Sequence, residues 1–70
     1  MESRKAIYRE SLEEDAMIFE LFAKKLDTTA EMQERDGHPL TAAMFRRISR
    51  QSHLQSVKYR AKALGLAMRP

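Results

Sequence analysis

The sequence predicts a small all-α domain of three helices, or four if a short middle stretch forms, with a C-terminal helix-turn-helix. Three observations carry that expectation. Gly and Pro occur only twice each in 70 residues, and β-branched residues are sparse, so little interrupts helix. Apolar residues recur at steps of three and four. Ser or Thr followed three residues later by Glu or Gln occurs at Ser11–Glu14, Thr28–Glu31 and Ser52–Gln55, the spacing of a capping box.

The first helix is expected at about 11–26, capped by Ser11, with Glu13, Glu14 and Asp15 where the helix dipole favours anions. Leu12, Ala16, Phe19, Phe22, Ala23 and Leu26 form its apolar stripe, which Ile18 and Leu21 widen. Tyr8, four residues before Leu12, allows a start as early as Arg4. Asp27-Thr28-Thr29 reads as a break, and 29–36 as a short helix or loop closed by Gly37. His38-Pro39 opens the next helix at about 39–50, since proline suits a first helical turn. Its face is Leu40, Met44 and Ile48, with Phe45 on the flank. Ser52 then caps a last helix at about 53–64 that buries Leu54, Val57, Ala61 and Leu64 and stops at Gly65.

A chain this short makes one domain, 1–70, near the lower limit for a self-sufficient core. Self-association as a homodimer, or folding on a partner, is therefore expected. With no cysteine, neither disulfides nor thiolate ligands are available. Met-Glu-Ser-Arg-Lys leads into no long apolar run, so neither a signal peptide nor a membrane span is expected, and the protein reads as cytoplasmic.

Charge is sharply divided. Met1 to Asp36 holds six Lys or Arg against ten acids, whereas Gly37 to Pro70 holds seven cations and no acid. That asymmetry points to a polyanion or an acidic partner for the C-terminal half. A helix of about 11 residues, a short break and a second of about 12 is helix-turn-helix spacing, in which the second helix enters the major groove. With Leu54, Val57, Ala61 and Leu64 turned inward, Gln55, Ser56, Tyr59 and Ala63 project outward, with Lys58 and Lys62 at one border. Gln55 and Ser56 would then read base edges, while Arg46, Arg47, Arg50, Lys58 and Lys62 hold phosphates and Tyr59 lies on the binding face.

Ser11-Leu12-Glu13-Glu14-Asp15, with Ile18 and Leu21, resembles the opening of a Myb/SANT-like or homeodomain-like three-helix domain. Residues 56–66, ending Leu64-Gly65-Leu66, resemble that family's recognition helix. The resemblance spans roughly 8–66 and implies double-stranded DNA as partner. The family's core tryptophans are absent, with Phe19, Phe22 and Phe45 as stand-ins, and 27–38 is longer than the usual connection. A competing tiling makes 29–36 and 40–49 the DNA-binding pair, with Asp36-Gly37-His38-Pro39 as the turn and Thr41, Ala42 and Arg46 toward the groove. It would set Glu31, Glu34 and Asp36 near phosphates.

Enzymatic chemistry is not expected. His38 and His53 are the only imidazoles, and two histidines 15 apart without cysteine make a poor zinc set. No cofactor, phosphate-cradling loop or internal repeat is read. The leading expectation is a DNA-binding transcriptional regulator, nucleoid-associated in that case. Its rival is a helical adaptor or inhibitor that docks on an acidic surface of an enzyme or transcription factor. RNA binding by the same basic surface is third.

Overall fold

A computed structural model describes the backbone of residues 4–68 and the side chains of residues 4–66. Two long helices, α1 (Arg4–Arg35) and α2 (Pro39–Met68), fold back on each other as a hairpin. The molecule measures 54 × 17 × 11 Å with a radius of gyration of 16.0 Å. A compact domain of this length would have a radius of about 11 Å, so the fold is a rod.

The seam between the helices is built from small residues at intervals of seven. Ala16, Ala23 and Ala30 on α1, and Ala42, Ser49, Ser56 and Ala63 on α2, are all buried. Between them lie Leu12, Phe19 and Leu26 on α1 and Phe45, Ser52 and Tyr59 on α2, buried or half-buried. The alternation of three- and four-residue steps is a heptad pattern, which keeps one narrow stripe of each helix facing the other over their whole length. Small side chains let the two backbones approach closely. Ser49 Oγ donates to the Ala23 carbonyl at 2.9 Å, and the Phe19 and Tyr59 rings meet at 5.5 Å between centroids.

The turn closes as its residues dictate. Gly37 adopts φ +83°, a left-handed conformation that costs any residue with a Cβ. Its amide donates to Glu34 and the His38 amide reaches back to Gln33, satisfying carbonyls at the end of α1. The His38 carbonyl then accepts from Ala42, the first bond of α2, with Pro39 as the first helical residue.

The all-helical expectation holds, with no strand among the described residues, but there are two helices, not three. Asp27-Thr28-Thr29 does not break α1. The Thr28 and Thr29 hydroxyls donate to the Lys24 and Lys25 carbonyls one turn back, and Leu26 and Ala30 continue the seam on either side. Ser52 does not cap a new helix either. It is buried in the seam, 7% exposed, and α2 runs on through it and through Gly65. Without a break near residue 51 the expected helix-turn-helix does not form. Asp36-Gly37-His38-Pro39, the turn of the competing tiling, is where the chain reverses. The segments that resemble a Myb/SANT-like domain lie inside α1 and α2.

Candidate interaction surfaces

The seam decides which side chains face outward, and on α2 it reverses the expected orientation. Leu54, Val57 and Leu64 are 54%, 49% and 61% exposed, and Ala61 is exposed too. Ser56 and Ala63, expected outside, are buried, and Tyr59 packs against Phe19. Ser56 is therefore not placed to read a base edge, and only part of Tyr59 reaches the surface. Leu40, Met44 and Ile48 are likewise exposed, as are Ile18, Leu21 and Phe22 on α1. The cause is physical: packing two helices closely selects small side chains, so large apolar residues are left outside. Among the described residues thirteen large apolar side chains are exposed, and of the aliphatic residues of that size only Leu12 and Leu26 are buried.

One side of the rod is charged. Arg46 on α2 pairs with Glu34 on α1. Arg60 forms a two-pronged pair with Glu20, its Nη1 donating to Oε1 at 3.1 Å and its Nη2 to Oε2. Glu34 and Glu20 are two heptads apart on α1, as Arg46 and Arg60 are on α2. Midway lie Asp27 and His53, which line the same open groove with Lys24 and Arg50. Hydrogen bonds from the guanidinium groups hold both Glu20 and Glu34 below the usual carboxylate range, and the bond to Glu34 raises Arg46. Sequence reasoning missed these columns. Their signal is present: acids every seventh residue at Glu13, Glu20, Asp27 and Glu34, answered by Arg46, His53 and Arg60. Such charge columns favour the antiparallel register.

The opposite side carries the apolar face. Phe22 and Ile18 on α1 are 49% and 63% exposed, and Ile48 and Met44 on α2 are 40% and 64% exposed. At the far end from the turn, Lys62 Nζ lies 5.6 Å from the centre of the Tyr8 ring. Hydrogen bonding to Tyr8 holds Lys62 above the usual lysine range.

The cations expected to bind phosphate thus divide. Arg46 is engaged by Glu34 and Lys62 lies over Tyr8, while Arg47, Arg50 and Lys58 are exposed with no ion pair among the described residues. Gln55 is exposed on α2. Among the described residues no group of three or more His, Asp or Glu side chains could hold a metal ion, and no helix is long and apolar enough to cross a membrane. No protein-family model, curated protein or solved structure matches this chain.

Proposed function

We propose that the protein is an interaction module that docks onto other helices through its apolar face. One observation carries the reading: Ile18, Phe22, Met44 and Ile48 are all exposed, and their heptad positions put them on the flank of the seam opposite Glu20, Glu34, Arg46 and Arg60. Apolar surface of this kind marks a protein contact when it is contiguous rather than scattered. The docking mode it suits is helix against groove, with anchors spaced by three, four and seven residues. The hairpin's own seam is already filled by other residues, so these side chains are not used in holding α1 to α2.

A photoreactive amino acid placed at Phe22 or Ile48 in living cells tests this. Covalent protein adducts are expected there and not from the same group at Arg50, on the charged side. Adducts to nucleic acid alone, or none, would discard the reading.

A second reading, duplex DNA binding, draws on the exposed cations Arg47, Arg50 and Lys58 and on the acid-free composition of α2. Three phosphate contacts imply a slope of log K against log salt of about −3. Gel-shift titration of random duplex DNA at two salt concentrations checks it, and Arg47→Ala should reduce that slope by about 1.

A further inference from the structure

Two observations give the apolar face a specific occupant, an inference that rests on the interaction reading above. The first is area. The chain exposes 5788 Å², whereas a compact monomer of 8.2 kDa exposes about 4,500 Å². The excess, roughly 1,300 Å² per chain, is within the range that each partner buries in an obligate homodimer. A rod one helix thick has this excess because of its shape, and a second rod laid on its apolar face removes it.

The second is the order of residues along the exposed stripe of α1. From Tyr8 to Met32, in alternating steps of three and four, the stripe carries Asp15 before its Ile18–Phe22 centre and Lys25 after it. Run antiparallel past a copy of itself, with the midpoint level with Glu20, it matches at every step. Ile18 meets Phe22 of the second copy, Asp15 meets Lys25, Ser11 meets Thr29 and Tyr8 meets Met32. A parallel arrangement in the same register would set Asp15 on Asp15 and Lys25 on Lys25, which like-charge repulsion opposes. Asp15 and Lys25 are ten residues apart on one helix, about 15 Å, so they cannot pair within a chain. Neither has an ion pair among the described residues.

We propose that the protein is a homodimer in which two hairpins stack face to face, α1 antiparallel on α1 about a two-fold axis level with Glu20. The product is a four-helix bundle. Its inner layer centres on Ile18 and Phe22 of each chain, with Met44 and Ile48 of each α2 alongside, and two Asp15–Lys25 pairs flank that centre. An isologous interface of this kind closes on itself and stops at two copies.

Sedimentation equilibrium and thermal melts of the full chain, from about 1 to about 200 µM, test the dimer, because a dimer's melting temperature rises with concentration. Twice the 8.2 kDa chain mass is expected. Asp15→Lys alone and Lys25→Asp alone should each weaken self-association by about tenfold or more. An equimolar mixture of these two variants should restore it as a heterodimer, since each copy then supplies the charge the other lacks. A monomer with a concentration-independent melt would overturn the second copy as occupant while leaving the face to a different protein. A dimer that persists unchanged in Phe22→Lys and in both charge reversals would place the interface elsewhere, and the interaction reading would fall with it.

Discussion

Ser49 Oγ reaches across the seam to the backbone carbonyl of Ala23, at 2.9 Å, between residues 26 apart in sequence. A side chain as short as serine spans two helices only where both present small residues at the same level. Ser49→Ala should cost about 0.5–1.5 kcal/mol for the lost bond. Ala23→Leu should cost more, about 1–3 kcal/mol, by forcing the backbones apart. Chemical denaturation of the two variants measures both, and a tolerated leucine would mean that the helices are not held this close.

Ser56 sits one heptad further along the same stripe, 1% exposed, and its hydroxyl has no hydrogen-bond partner among the described residues. A buried hydroxyl without a partner costs about 1–3 kcal/mol, and alanine is also the better helix former. Ser56→Ala should therefore stabilise the protein, by about 1 kcal/mol. Its neighbour Val57 is 49% exposed, so Val57→Ala should stay within about 0.5 kcal/mol of the parent in the monomer. The opposite ranking, with Val57→Ala the costly change, would restore the orientation that apolar periodicity first suggested.

The two glycines should respond with opposite sign. Gly37 holds φ +83°, while Gly65 lies within α2 with open space where a Cβ would stand. Gly37→Ala puts a Cβ into the left-handed region and should cost about 1–2 kcal/mol. Gly65→Ala removes a flexible residue from a helix and should gain about 0.5–1 kcal/mol. Melting temperatures of the pair decide the matter, and a gain at Gly37 would mean that the turn is not closed as described.

The helical class and the turn at Gly37-His38-Pro39 were legible in the sequence, because Gly at the stop and Pro at the start act locally. The rest was hidden by two effects. Thr28 and Ser52 have the spacing of caps, yet a seam that continues past both stabilises helix more than a cap would end it, and Ser11 lies inside α1, which begins at Arg4. Apolar size also misled: Leu54 and Ile48 are the residues expected in a core, but close helix packing puts Ala and Ser at every seventh seam position instead, between Leu12, Phe19, Leu26, Phe45 and Tyr59. The intervals of seven among Ala16, Ala23 and Ala30, and among Ala42, Ser49, Ser56 and Ala63, carry the correct orientation. They are easy to overlook because alanine and serine add little to an apolar periodicity. Of the residues expected to touch DNA, Ser56 is displaced to the seam for this reason. Gln55, Arg47, Arg50 and Lys58 remain at the surface.

Acid should loosen the hairpin through the charged side. Glu20 and Glu34 are held below their ordinary value of 4.5 by hydrogen bonds from Arg60 and Arg46. A carboxylate whose pKa is lowered by folding contributes stability that is complete above the unfolded value and lost as pH falls through the folded one. The melting temperature should thus hold steady from neutrality down to pH 4.5 and fall below it. Lys62, raised above 10.5, works in the other direction: its contribution is present below that value and lost as pH climbs beyond the raised one. Both ion pairs are exposed, so the acid effect should be modest and should shrink in high salt. A variant carrying Glu20→Gln and Glu34→Gln should show a shallower acid limb than the parent. Identical acid limbs for the two proteins would mean that these pairs contribute nothing to holding α1 and α2 together.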